Sequence, residues 1–117
     1  MHELSIAGAV VDTAIRHAGG RRVTAVHLRV GHLRQVVPAS LAFYFEHVAR
    51  GTLCEGARLE QELVPARLAC EACGHGWTLE AVAFRCSECG APGAVVSGNE
   101  LEVESIDVEE REAACIE

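Results

Sequence analysis

The chain has 117 residues, half of them hydrophobic, with 17 acidic and 10 basic side chains for a net charge of −7. This length suits one domain, or one domain with a small metal-held lobe, and the composition is that of a folded chain. The acidic surplus argues against nucleic acid as a partner, and because every basic residue is Arg, a phosphate loop ending in Lys and Schiff-base chemistry are both excluded.

Residues 4 to 18 read as an amphipathic helix, with Leu4, Ala7, Val11, Ala14, Ile15 and Ala18 on one stripe and Gly19-Gly20 as its stop. Arg22 to Val30 alternates as a strand, placing Thr24, Val26, Leu28 and Val30 on one face, and Gly31 ends it. Pro38 suits the first turn of a second helix, whose stripe is Leu41, Phe45, Val48 and Ala49 and whose end is Gly51. A second strand runs from about Arg58 to Val64, with Leu59, Gln61 and Leu63 on one face. Strand, helix and strand in this order form a right-handed crossover, so the two strands are expected to lie side by side and parallel. Residues 66 to 97, rich in Cys and Gly and holding the sole Trp, read as a metal-nucleated lobe. Glu100 to Glu109 alternates again, with a change of phase between Val103 and Ile106 that predicts a bulge or twist. This last strand is expected to rejoin the first sheet, making the metal lobe an insertion. The acidic tail, Glu110 to Glu117, is expected to be mobile.

No apolar run reaches the ~20 residues of a membrane helix. The opening Met-His-Glu-Leu-Ser lacks the basic stretch of a secretory signal, so the expected compartment is the cytoplasm, where clustered Cys residues indicate a metal site rather than disulfides.

Two Cys-x-x-Cys pairs, Cys70/Cys73 and Cys86/Cys89, stand twelve residues apart, and each is followed by Gly, at Gly74 and Gly90. A two-residue gap lets both sulfurs of a pair reach one ion, and Gly permits the tight turn that aims backbone N–H groups at them. Four thiolates complete a tetrahedral zinc shell and leave no open position, so the site is structural and not catalytic. Iron is the rival metal for the same ligands. Trp77, Leu79, Val82 and Phe84 are expected to pack this ribbon. His75 reads as a solvated loop residue, with a modulating or alternate-ligand role as the sharper option. Cys54 reads as a small apolar filler and Cys115 as an exposed thiol.

His2 gives the amino terminus chemical content. A bulky second residue disfavours removal of the initiator, so the free amine is expected to be that of Met1. This amine, the His2 backbone nitrogen and the His2 imidazole can close two adjacent chelate rings on Ni(II) or Cu(II), with Glu3 adding its backbone nitrogen or carboxylate. His17, His27, His32 and His47 read as structural residues.

Met1-His2-Glu3-Leu4-Ser5-Ile6-Ala7, the two Cys-x-x-Cys pairs, Val30-Gly31, Gly98-Asn99-Glu100-Leu101 and the closing Glu-Leu-Glu-Val-Glu-Ser-Ile strand together closely resemble the HypA/HybF family of nickel metallochaperones, from Met1 to about Glu109. The resemblance implies an α+β fold, with two helices packed on a three-stranded mixed sheet as a nickel domain (residues 1–65 and 98–117) and an inserted four-cysteine zinc ribbon (66–97). It implies that His2 is the essential nickel ligand, with the Met1 amine and Glu3 beside it, and that Cys70, Cys73, Cys86 and Cys89 bind zinc. It implies a non-enzymatic role in delivering nickel to the large subunit of [NiFe]-hydrogenase with a HypB-type GTPase, and in some organisms in urease maturation. The alternative is a zinc-ribbon adaptor for protein interactions with an inert amino terminus.

Overall fold

The computed structural model describes residues 3–79 and 84–110. Helix α1 (Glu3–Ala18) leads into strand β1 (Val23–Gly31), a 3-10 turn (His32–Arg34) and helix α2 (Pro38–Ala49). Strands β2 (Arg58–Val64), β3 (Arg67–Cys70), β4 (Gly76–Thr78), β5 (Gly93–Ser97) and β6 (Leu101–Val108) follow. They build two sheets, a mixed one in the order β2-β1-β6 and a second in the order β4-β3-β5. The chain forms two compact units, one of Met1–Leu28, Val36–Glu62 and Glu102–Glu117, the other of Arg29–Gln35 and Leu63–Leu101.

In the first unit α1 packs on α2, and the buried residues of α1 are Glu3, Ala7, Val10, Val11, Ala14 and Ala18. Three of these six are alanines, which keep side-chain bulk low along the buried stripe. From α2, Leu41, Phe45 and Ala49 enter the core, where truncating either large residue would cost ~2–5 kcal/mol. Central strand β1 is the most buried, with Val23, Ala25, Val26 and Leu28 each at most 1% exposed. The edge strands β2 and β6 carry Arg58, Glu60, Glu62, Glu102, Glu104 and Asp107 on exposed positions, which discourages pairing with other chains.

Some expected core residues are exposed or only half-buried. Leu4 is 53% exposed, although it shares the angular position of Val11. Both stand toward the rim of the buried stripe, which is centred on Glu3, Ala7 and Ala14 and fades toward the half-buried Ile15. Leu63 is 59% exposed while its neighbour Val64 is buried, so burial changes face where the second unit begins. Ile15 and Val48 are half-buried. In β6 the half-buried residues are Leu101, Val103, Ile106 and Val108, and the expected phase change falls at the consecutive exposed pair Glu104 and Ser105.

The second unit is organised by β3, which pairs antiparallel with both β4 and β5 and sets Leu68 opposite Trp77 and Val95. The register with β5 shifts between Arg67 and Leu68. Leu68 is its main apolar residue at 1% exposure, with Trp77 and Leu79 half-buried around it. Phe84, expected to pack here, is 45% exposed, and Val82 lies outside the described residues. In the same unit the Gly31 N–H donates to the Glu100 carbonyl at 2.6 Å and the Leu33 N–H to the Gly98 carbonyl at 2.8 Å.

Candidate metal centres

Both Cys-x-x-Cys segments fold into the same turn. The Gly74 N–H donates to the Cys70 carbonyl and the Gly90 N–H to the Cys86 carbonyl, each at 2.9 Å. The Cys70 N–H donates to the His75 carbonyl at 2.7 Å and the Cys86 N–H to the Ala91 carbonyl at 2.8 Å. Gly74 and Gly90 adopt φ of 82° and 78°, values at which a side chain is strained. Backbone donors also reach the sulfurs, from Cys73 N–H to Cys70 Sγ at 3.4 Å and from Glu88 N–H to Cys86 Sγ at 3.3 Å. In each pair the first Cys is buried and the second exposed.

The four sulfurs converge. Cys70 Sγ and Cys89 Sγ are 3.4 Å apart, Cys73 Sγ and Cys86 Sγ 3.7 Å, and all four lie within 4.8 Å of one another. A tetrahedron with metal–sulfur distances near 2.3 Å has edges of about 3.8 Å, so the cluster is sized for one thiolate-bound ion. The separations are far beyond the ~2.05 Å of a disulfide. The Cys73 N–H, opposed by burial and joined by the Ala72 N–H, lowers the Cys70 thiol to about 6. Cys73, although the His75 N–H favours its thiolate, is pushed up to about 12 by the Cys70 and Cys86 sulfurs. Thiolates crowded this closely repel one another, and a divalent cation would relieve that repulsion. Among the described residues this is the sole group of three or more His, Cys, Asp or Glu able to hold a metal.

His75 is more than a solvated loop residue. It is half-buried, its ring stacks on Trp77 with centroids 5.8 Å apart at 19°, and its backbone belongs to the first cysteine turn. Trp77 in turn covers Gly93, where a Cβ would come within 2.5 Å of its ring.

Of the amino-terminal residues, Met1 and His2 lie outside the described residues, as does Cys115. Glu3 is described. It is the buried charged side chain of the described core, 5% exposed, and its Oε2 accepts the Val37 N–H at 3.1 Å. The positive amino terminus, followed by the Val37 N–H, holds its carboxyl at about 2. Val37 caps the start of α2 and offers no side-chain acceptor there. Glu3 therefore supplies from α1 the carboxylate that a helix start often takes from its own first turn. Sequence periodicity carried no sign of this pairing. The available clue was an apolar residue before Pro38, which left the start of α2 without a local cap.

Of the remaining His residues, His17 Nδ1 lies 2.9 Å from the Thr13 carbonyl and His27 Nε2 lies 3.1 Å from Asp107 Oδ2, while His32 and His47 are exposed. Cys54 is fully buried, as a filler should be, and burial pushes its thiol up. Among the described residues no helix is long and apolar enough to cross a membrane.

Comparison with known proteins extends this picture over nearly the whole chain. The family model described as "Hydrogenase/urease nickel incorporation, metallochaperone, hypA" matches residues 1–108. The hydrogenase maturation factor HypA of Geobacter metallireducens is 48% identical over 110 residues, covering 93% of this chain and all of that protein. The Roseiflexus HypA is 45% identical over 115 residues, 94% of each chain. The solution structure of the Ni metallochaperone HypA from Helicobacter pylori superposes with a TM-score of 0.68 at 22% identity, covering 92% of this chain and 97% of that one. At that identity the likeness speaks for the fold. Taken with the family model and the relatives, the arrangement of two helices, a mixed sheet and a four-cysteine ribbon is that of a family to which this chain belongs, the HypA metallochaperones of hydrogenase and urease nickel incorporation.

Proposed function

We propose that this chain is a carrier of Ni(II), binding it at the amino terminus and surrendering it during maturation of [NiFe]-hydrogenase. The observation that carries the reading is the span of the family match, residues 1–108, which takes in the Met1-His2-Glu3 start as well as all four cysteines. The Met1 amine, the His2 backbone nitrogen and the His2 imidazole are the ligands, with Glu3 beside them. A nitrogen set of this kind suits Ni(II) in a square-planar field. One imidazole and a chain end also make a site that a recipient can reach and compete for.

In this reading Cys70, Cys73, Cys86 and Cys89 hold zinc. The sulfur spacing is consistent with that ion, and its four thiolates would complete the shell without chemistry of their own. The zinc contributes folding free energy to the ribbon, on the order of 10 kcal/mol. Residues 1–65 with 98–117 serve as the nickel domain and 66–97 as the zinc domain. The chain is a binding protein and not an enzyme. Lacking Lys altogether, it has no phosphate loop of its own, which is consistent with a separate HypB-type GTPase as partner. The large subunit of [NiFe]-hydrogenase is the recipient, urease maturation proteins are a second outlet, and the work is done in the cytoplasm.

The role of the free amine offers a direct test. Nickel affinity is measured by calorimetry on zinc-loaded protein with a native amino terminus and on the same chain carrying a short amino-terminal extension. The extended chain is expected to bind at least about tenfold more weakly, since it lacks a primary ligand. Equal affinities would remove the amine from the ligand set. Absence of a tight nickel site in both would leave a zinc-ribbon adaptor.

A further inference from the structure

We propose that a groove beside α2 is a docking site for the chain's own segment Ala113-Ala114-Cys115-Ile116. The groove, about 430 Å³ in volume, is cut between α2 and the chain that leads from that helix into β2. Ala42, Phe45 and Ala49 recur at helical spacing along its α2 wall, and Ala57 and Leu59 stand on the opposite side. Phe45 and Ala49 belong to the core, so the floor is apolar and gains from being covered. The rim is charged, with Glu46, Arg50 and Glu55. Glu55 is already engaged, its Oε1 accepting the Gly51 N–H at 3.1 Å and its carbonyl the Arg22 guanidinium at 3.0 Å. The Arg50 guanidinium makes no hydrogen bond or ion pair among the described residues.

The path of the chain names the occupant. At the end of β6 the Glu109 N–H donates to the Arg22 carbonyl at 2.9 Å, and the Arg22 side chain reaches on to Glu55 at the rim. The chain therefore leaves the sheet one side chain away from the groove. The groove and residues 102–117 fall in the same compact unit. Residues 111–117 lie outside the described residues, and seven residues reach ~23 Å when extended. The α2 wall from Ala42 to Arg50 is only ~12 Å long. A tether this short also keeps the segment at high effective concentration beside the groove.

The chemistry of the segment fits what it would meet. Glu112 and Glu117 bracket four consecutive apolar residues, Ala113 to Ile116. Three small side chains suit a narrow floor, and Ile116 supplies the large apolar anchor. The flanking carboxylates answer Arg50, and Arg111 answers Glu46 on the same rim. The family match stops at residue 108, so this cover is an addition of the present chain and not part of the shared fold. It extends the account beyond metal carriage and depends on neither metal.

Zinc-loaded protein labelled with nitrogen-15 is compared with the same chain ended after Glu110 and with Ile116→Asp. Shortening and Ile116→Asp are expected to move the Ala42, Arg50 and Leu59 amide resonances in the same direction, equally at low and high protein concentration. A second readout is alkylation of Cys115, located by peptide mass spectrometry, in the native chain and in Ala42→Glu, which puts a carboxylate on the groove wall. Docking is expected to slow Cys115 alkylation at least about fivefold in the native chain relative to Ala42→Glu, because the reagent meets only the undocked population. Groove resonances indifferent to shortening, or equal Cys115 reactivity in a folded Ala42→Glu, would overturn the proposal. Shifts that grow with protein concentration would place a second copy's segment in the groove and would overturn it as well. Should Ala42→Glu not fold, the shortened chain and Ile116→Asp, both altered beyond the last strand, still decide.

Discussion

Gly31 lies against the backbone of Gly98 so closely that a Cβ on Gly31 would overlap the Gly98 carbonyl and come within 2.6 Å of the Asn99 nitrogen. The atoms in the way are main chain, locked by the bonds from Gly31 to Glu100 and from Leu33 to Gly98. Two stretches that the sequence separates by more than sixty residues are thus held at a distance only glycine allows.

Replacing Gly31 by Ala should therefore destabilise the protein by about 3 kcal/mol, the upper end of what overpacking costs, because backbone cannot yield as a side chain can. Gly8 is the control. It lies inside α1 with nothing within 4 Å of its notional Cβ, so Gly8→Ala should stabilise by ~0.5–1 kcal/mol through helix propensity. Denaturant unfolding of the two variants checks both signs. A neutral Gly31→Ala would mean that the two stretches part easily.

Removing the ribbon's metal should be visible in Trp77, the single tryptophan of the chain. Its ring stacks on His75, two residues from Cys73, and covers Gly93. Chelation, or Cys70→Ser, is expected to abolish stoichiometric zinc and red-shift Trp77 emission, while the far-ultraviolet signal of α1 and α2 persists. The measurements are elemental analysis and fluorescence on the same samples. Retained zinc in Cys70→Ser would contradict a four-thiolate shell.

The acid limb of the stability curve should carry the mark of Glu3. Its carboxyl is held at about 2, below the ordinary value of 4.5, so the folded state favours the ionised form more than the unfolded chain does. That stabilisation is fully present above the ordinary value and is lost as pH falls toward the lowered one. Thermal midpoints of native protein and Glu3→Gln are expected to converge between pH ~5 and ~2. A gap that stays constant through this window would show that the ionised carboxylate contributes nothing.

The contact between His27 Nε2 and Asp107 Oδ2, 3.1 Å long with side chains 35% and 54% exposed, should by contrast matter little. Pairs this accessible are worth ~0–1 kcal/mol. Asp107→Asn is expected to shift stability by less than ~1 kcal/mol, measured by denaturant unfolding at neutral pH. A larger loss would mean that the Asp107 carboxylate does more for the fold than its contact with His27.

Local signals accounted for the elements themselves. Gly19, Pro38 and Gly51 mark helix limits because each has a backbone property that acts at its own position, and the phase change in β6 is written in the consecutive polar residues Glu104 and Ser105. The cysteine cluster was legible for the same reason, since a Cys-x-x-Cys-Gly turn is built from neighbours. What periodicity could not carry was how wide a buried stripe runs. Leu4 stands at the rim of the stripe on α1 and is left exposed, and Phe84 has the chemistry of a core residue but not the cover. Pairings across the chain were equally silent. Nothing near Glu3 announces Val37, and nothing near Gly31 announces Gly98, because both contacts are made to main-chain atoms that every residue possesses.

The most direct test of nickel carriage is a Ni(II) titration of zinc-loaded, untagged protein beside His2→Ala at neutral pH, read by heat and by the visible absorption of the bound ion. One tight site in the native chain that vanishes in His2→Ala, with zinc content and helical signal unchanged, is the result the account predicts. Equal nickel binding in the two proteins would contradict it.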